Sequence, residues 1–418
     1  MLQEHRDKRI NSRKFTIEKH RSQDYKVFEL KLDKSHMSNR KRKYLNSLFL
    51  EAKWLYNSSL ASEDIFKIDT KSKTVTVLDS KKQPVERKLN TLSSQMRQGI
   101  VQRIQSSIKA LSILKKKGKT VGWLKFKSEV NSIPLKQFNV TYKFPSPNHV
   151  IFQGFKKRFR IRGMKQIPKD AEFANATLVR SHGDYFLKVT CFVNKKEKQE
   201  TGNCIGLDFG IKDNVTTSNG DKFNFQFPES KSIKRLQQKM SKCKPRTCKY
   251  RKLKTKLQKS YYVLSNHKKD ARNKFVHTLT SENDLIAIQD ESLHSWHSSE
   301  NNGFGRRVQY SIMGGIISRL KEHLETHIVD KWFASTKLCP VCGTINNLTL
   351  DDRIYRCPKC GYQNDRDVHS ATNILLESFN QIPTERRSTM LDCKIQRFKK
   401  YLKSLCFNQE APALVSAG

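Results

Sequence analysis

Two C-x-x-C pairs, Cys339-Pro-Val-Cys342 and Cys357-Pro-Lys-Cys360, stand 14 residues apart near the C-terminal end. Each pair makes a tight knuckle and the stretch between them is long enough for a short hairpin, so the four thiolates are expected to wrap tetrahedrally around one Zn²⁺. Ligation by four thiolates closes the coordination sphere. The zinc is therefore expected to be structural, with no reactive water, and any chemistry must lie elsewhere. Of the ten cysteines, Cys191, Cys204, Cys243, Cys248, Cys393 and Cys406 remain. Cys191 and Cys204 read as buried strand residues. Cys243 and Cys248 fall in a very basic helical stretch and read as ordinary thiols, with a second metal site as the alternative.

Charge narrows the partners. The chain has 81 Lys+Arg against 39 Asp+Glu, a net charge of +42 over 418 residues. An excess of that size sits opposite a polyanion, and nucleic acid is the expected counterpart, a solvated basic surface being the bland alternative. The length suits several domains at roughly 100–200 residues each. There is no run of about 18 apolar residues, and MLQEHRDKRINSRKF has no apolar signal core, so neither membrane partner nor export is expected and the cysteines should stay reduced in a cytoplasm.

The periodicity changes along the chain. In 25–32, YKVFELKL, the residues Phe28, Leu30 and Leu32 share one face of a half-buried strand. Then Leu45, Leu48, Ala52 and Leu55 recur at helical spacing behind a cap at Ser38 or Asn39. A second helical stripe, Leu92, Met96, Ile100, Ile104, Ile108 and Leu111, ends at the lysines around Gly118. From about 137 to 193 the pattern is β, with a hairpin around His182-Gly183-Asp184, and short strands at these intervals predict a small barrel that includes the N-terminal strand. Lys195 to Gly202 reads as a linker. Residues 231–274 hold 17 Lys+Arg against the single acid Asp270 while keeping helical phasing, which predicts a basic helical hairpin against a phosphate backbone. His323 and His327 are spaced as on one helix turn, but the order of a zinc-protease helix is missing.

Three acids stand at element ends. Cys204-Ile-Gly-Leu-Asp208 is an apolar strand that delivers a carboxylate, followed by the turn-forming TTSNGD. Leu285-Ile-Ala-Ile runs into Gln289-Asp290-Glu291, and Asp367 precedes the helical pattern Ala371-Thr-Asn-Ile-Leu-Leu. Taken singly, Asp208 also suits a strand-end turn and Asp367 a helix cap. Taken together, three such carboxylates can converge, and hard oxygen ligands of this kind suit two Mg²⁺ ions for in-line phosphodiester cleavage.

The order GLDFG, basic helical pair, IAIQDES, four-cysteine ribbon and DRDVHSATNIL resembles the RuvC nuclease half of the TnpB family, transposon-encoded RNA-guided nucleases, and of the compact type V CRISPR effectors related to them. The resemblance covers about residues 202–380. It implies a multidomain α+β chain: a β-barrel wedge (1–35 and 132–200), a helical recognition lobe (36–131), an RNase H-like RuvC domain (201–335 and 363–385), an inserted zinc ribbon (336–362) and a basic, partly disordered tail (386–418). It further implies a Mg²⁺-dependent DNA endonuclease in a prokaryotic cytoplasm at the nucleoid, with a guide RNA and double- and single-stranded target DNA as partners and one or two protein copies per guide. Asp208 and Asp367 match the family's first and last metal-binding acids. The family's second acid falls at Gln289, a poor Mg²⁺ ligand. Glu291, two residues on and on the same strand face, is the expected substitute, and Asp290 faces the other way. His369 stands where the family has Asn. Two other readings stay open: a DNA-binding protein whose nuclease has decayed at Gln289, and a strand-transfer transposase.

Overall fold

The computed structural model describes residues 14–79, 82–195, 199–245, 247–297, 304–349, 351–382, 396 and 400. Cys393, Cys406 and nearly all of the basic tail lie outside the described residues. The chain divides into two compact units, Met1–Lys196 and Glu197–Gly418.

In the first unit, β1 (Gln23–Leu32) is followed by α1 (Asn39–Leu60), the hairpin β2 (Thr74–Leu78) and β3 (Pro84–Lys88), and α2 (Ser94–Lys116). Six strands complete it: β4 (Ser132–Leu135), β5 (Tyr142–Ser146), β6 (His149–Phe152), β7 (Phe155–Arg162), β8 (Glu172–Ser181) and β9 (Asp184–Asn194). They form one sheet with β1, in the order β4-β8-β9-β1-β7-β6-β5. Tyr142 of β5 donates to the Ala174 carbonyl of β8 at 3.1 Å, and Phe144 packs on Phe173 with ring centroids 5.2 Å apart. These contacts curl the sheet into a nearly closed barrel. The β8–β9 turn is tighter than the three residues expected: Ser181 already pairs with Asp184, and only His182 and Gly183 turn, both at positive φ (53° and 75°), as a two-residue hairpin demands.

Both helices begin at a serine cap, Ser38 accepting from the Lys41 amide and Ser93 from the Met96 amide. Leu45, Leu48, Ala52, Met96, Ile100 and Ile104 are buried with the barrel core. The hairpin between the helices had no signal in the helical periodicity of its flanks.

The second unit carries β10 (Cys204–Asp208), β11 (Val215–Thr217), β12 (Lys222–Phe223), α3 (Lys231–Ser241), α4 (Cys248–Glu282), β13 (Leu285–Gln289), α5 (Met313–Leu320), β14 (Thr326–Val329), β15 (Ile354–Arg356), β16 (Gln363–Asp365) and α6 (Arg366–Gln381). Its main sheet runs β12-β11-β10-β13-β14, with β10, β13 and β14 parallel and β11 and β12 antiparallel. The three parallel strands are covered on both sides, which is why β13 is apolar from Leu285 to Ile288. Ile205, Leu207, Ile286 and Ile288 meet Phe275 and Leu279 of α4 and Ile316 and Leu320 of α5. On the opposite face, Leu285, Ala287 and Val329 meet Ile374, Leu375 and Phe379 of α6. Helix α6 lies so close to β10 that a Cβ at Gly206 would come within 2.0 Å of the Ala371 carbonyl oxygen. Only glycine permits that approach, and the approach places the start of α6 beside Asp208.

Three local expectations are corrected. His327 is in β14, its Nε2 3.0 Å from Gln381 Oε1, while His323 is in the turn before it, so the pair shares no helix. Cys204 is only half-buried, because it begins the strand. Cys243 lies in the bend between α3 and α4 and not within a helix, whereas Cys248 is the first residue of α4.

Candidate active site and metal centre

The four cysteines close on one point. Their sulfurs all lie within 4.8 Å of one another, with Cys339 and Cys360 at 3.6 Å and Cys342 and Cys357 at 3.5 Å. A tetrahedral ion with Zn–S bonds of about 2.3 Å needs sulfurs roughly 3.8 Å apart, so the group fits zinc. The two knuckles are built alike. The Gly343 amide donates to the Cys339 carbonyl and the Gly361 amide to the Cys357 carbonyl, both at 3.0 Å, and both glycines sit at φ 71°. The second knuckle forms the turn of the β15–β16 hairpin, and β16 runs straight into α6.

His369 of α6 is wholly buried against this ribbon, stacked on Tyr355 with centroids 3.7 Å apart. Burial pushes its pKa down to about 4, so it packs as a neutral ring. One turn on, Asn373 Nδ2 donates to the carbonyls of Ser335 (2.6 Å) and Leu338 (2.7 Å), tying α6 to the segment that enters the first knuckle.

The acids gather at the C-terminal edge of the parallel strands. Asp208 ends β10 on the face covered by α6, and its Oδ1 accepts a hydrogen bond from Ser370 Oγ at 3.0 Å. Asp367 lies in the first turn of α6. Asp365 sets that turn: Oδ1 accepts from the amides of Asp367 (3.0 Å) and Val368 (3.2 Å), and Oδ2 from Lys222 Nζ of β12 at 2.7 Å. Burial raises the Asp365 pKa, but the Lys222 ammonium and those amides outweigh it and hold the carboxyl below its usual range. For Asp208 the balance runs the other way. Burial first, then the charges of Asp367 and Glu291, push its pKa up to about 7 against the bond from Ser370. Two acids, Asp367 and Glu291, therefore act on the carboxyl of the third. Among the described residues only the cysteines bring three or more ligand atoms within 4.8 Å of one another, so these carboxylates stand further apart than a closed metal cage would hold them.

β13 ends at Gln289, and the Glu291 amide turns back onto the Gln289 carbonyl at 2.9 Å. That turn, not strand alternation, sets where Glu291 sits, and burial followed by the charge of Asp290 raises its pKa. Asp290 pairs with Lys321 of the α5 end, on the exposed side.

Gln289 is buried with its amide fully used. Nε2 donates to the carbonyls of Phe333 (2.8 Å), Asp330 (3.1 Å) and Lys331 (3.3 Å), and Oε1 accepts from Ser335 Oγ at 2.9 Å. Ser335 in turn contacts Ser370 Oγ at 3.0 Å. A chain of side chains thus runs Gln289–Ser335–Ser370–Asp208. Sequence reasoning missed Ser335, Ser370, Asp365 and Lys222. Ser370 had a faint signal, three residues after Asp367 on one helix face, and Asp365 stands where a helix cap belongs. Nothing marked Ser335 or Lys222.

All of these residues fall in segments shared with known proteins. Residues 319–374 match the Cas12f1-like TNB domain, and residues 186–292 match OrfB_IS605, a model described as a probable transposase. Asp367 and the four cysteines lie in the first segment, Asp208, Gln289 and Glu291 in the second. The chain is 28% identical over 225 residues to a protein of Streptomyces pristinaespiralis named as an RNA-guided DNA endonuclease, covering 51% of this chain and 55% of that one. It is 27% identical over 212 residues to a TnpB-like protein of Acanthamoeba polyphaga mimivirus, covering 46% of this chain and 40% of that one.

Over about half of its length the chain is similar to TnpB-like proteins. It spans about half the length of the curated relatives it matches. Among solved structures, a Cas12f1–sgRNA–target DNA complex aligns with a TM-score of 0.47 at 13% identity over 84% of this chain and 99% of that one. CasPhi-2 (Cas12j) bound to crRNA aligns with a TM-score of 0.39 at 10% identity over 87% and 99%. No helix of the described residues is long and apolar enough to cross a membrane.

Proposed function

We propose that the chain is an RNA-guided DNA endonuclease, in which pairing of a guide RNA with target DNA supplies sequence specificity and the protein reads a short flanking motif. The observation that carries the nuclease reading is that Asp208 ends β10, that α6 bonds it through Ser370 and carries Asp367 in its first turn, and that the adjoining β13 ends just before Glu291. The sheet supports an RNase H-like, RuvC-type domain: an antiparallel run β12-β11-β10 continued by two parallel strands, with α6 across β10. The relatives named as an RNA-guided endonuclease and as TnpB-like support the guided reading. The net charge of +42 supports guide RNA and target DNA as partners.

The residues suit divalent magnesium. They offer hard carboxylate oxygens, and burial followed by the charges of Asp367 and Glu291 raises the pKa of Asp208, which a bound cation would oppose. Asp208, Glu291 and Asp367 would hold two Mg²⁺, which when bound supply the positive charge for activating water and stabilising the leaving oxygen. The chain's own groups prepare the site. Ser370 fixes one oxygen of Asp208, Asp365 with Lys222 fixes the helix turn that carries Asp367, and the turn after β13 delivers Glu291. Gln289 gives no carboxylate and instead secures the loop behind Ser335.

The test is to express the protein with its native flanking DNA, sequence the RNA that copurifies, and offer the complex plasmids carrying a matching target beside randomised flanks, with Mg²⁺. Guide-dependent cutting that disappears in Asp208→Ala and in Glu291→Ala, with binding retained, is the expected result. Tight guide-dependent binding without cutting would support the second reading, suggested by Gln289: a protein that acts by occupying its target.

A further inference from the structure

The turn after β14 leaves the sheet at the same edge as Asp208 and Gln289, and it displays Trp332 with 80% of its surface exposed. An indole so exposed contributes little to packing. Yet the backbone beneath it is held firmly. Gln289 Nε2 donates to the carbonyls of Asp330, Lys331 and Phe333, on both sides of Trp332, and the Trp332 amide donates to Asp330 Oδ1 at 2.8 Å. Phe333 turns inward and packs against the α6 core, which leaves its neighbour outward. The Lys331 ammonium lies 4.5 Å from the indole centroid, so one ring face carries a cation while the rest stays open. Through Ser335 and Ser370 this turn connects directly to Asp208.

We infer that Trp332 is a stacking platform for an unpaired base of the DNA strand that enters the acidic site, with Lys331 taking a neighbouring phosphate. The inference rests on the nuclease reading for the identity of the strand. Bases within a duplex are stacked on each other and offer no free face, so the occupant is single-stranded DNA. Aromatic stacking beside a cation is how such strands are held without regard to sequence. Gln289 then has a positioning role: the amide that replaces a carboxylate fixes the turn that presents the indole.

The test uses the full chain with its copurified RNA and single-stranded DNA oligonucleotides carrying 5-iodouracil, which crosslinks to stacked aromatic rings. Affinity is read by fluorescence anisotropy without divalent cations, and the crosslinked peptide by mass spectrometry. The wild type should crosslink through Trp332. Trp332→Ala should lose that crosslink and bind about tenfold more weakly, Trp332→Phe should recover most of the affinity, and thermal stability should not change. Unchanged affinity in Trp332→Ala, or crosslinks that map only elsewhere, would overturn the inference. Cleavage is read separately with Mg²⁺. Cutting with an unaltered Trp332→Ala affinity removes the platform and leaves the nuclease reading intact, whereas a Trp332 crosslink in a protein that never cuts does the reverse.

Discussion

Burial, and after it the charges of Asp367 and Glu291, move the pKa of Asp208 from 3.8 to about 7. Its folded pKa lies above its unfolded one, so the stability it contributes is present below about pH 4 and is lost as pH rises to about 7. Asp208→Asn removes that loss. In EDTA the variant should melt above the wild type at pH 8, the gap should shrink as pH falls toward 4, and Mg²⁺ should raise the wild-type Tm more than the variant's, although the variant cuts nothing. A wild type that gains stability on the variant between pH 5 and 8 without metal would refute the account. Gln289→Glu tests the neighbouring position. It restores the acid the TnpB pattern favours, but it aims a carboxylate at three carbonyl oxygens, so we expect about 2–4 kcal/mol lost in denaturant unfolding and no gain in cutting. Higher activity would move the second acid back from Glu291 to 289. The sequence showed that Gln289 departs from the family pattern, but not what it does. Its partners are backbone carbonyls 41 to 44 residues further along the chain.

At the scale of elements, legibility followed periodicity. Leu30 and Leu32 on β1, the Leu45-to-Leu55 stripe on α1 and the unbroken apolar run of β13 each state which face is buried, and the structure buries those residues. The β2–β3 hairpin escaped because its strands are short and mostly exposed. His323 and His327 misled because helical spacing arises by chance across a turn and a strand start. The cysteine spacing specified two knuckles, but not that Tyr355 and Tyr362 of the ribbon would clasp His369, two residues beyond Asp367. That clasp yields a prediction. Purified protein should hold one zinc per chain, and removing it should release the ribbon and the first turn of α6 together. Hydrogen exchange should then rise across 338–369 while α1 and α2 stay protected, and cutting should fall along with the loss of zinc. Exchange confined to the knuckles, with α6 unaffected, would mean that the helix start is held by Asp365 and Lys222 alone.

For the whole molecule, the charge that composition reveals is distributed unevenly. On α4, Lys249, Lys252, Lys256 and Lys259 are all exposed and recur at helical spacing, so they form one stripe. The nearest acid on the helix, Asp270, is already paired with Lys274 at 2.8 Å. A stripe of four ammonium groups with no acid paired to them among the described residues repels itself unless phosphates lie opposite, and phosphates bound there release condensed counterions. Changing all four lysines to Gln should therefore weaken nucleic-acid binding at low salt far more than at high salt. If each lysine meets one phosphate, the slope of log K against log salt should become roughly 3 to 4 units shallower. None of the four lies among the acids, so the pH and Mg²⁺ dependence of cutting by pre-bound complex should be unchanged, which separates loss of grip from loss of chemistry. An unaltered slope would place the phosphates elsewhere on the molecule and leave the stripe a solvated face.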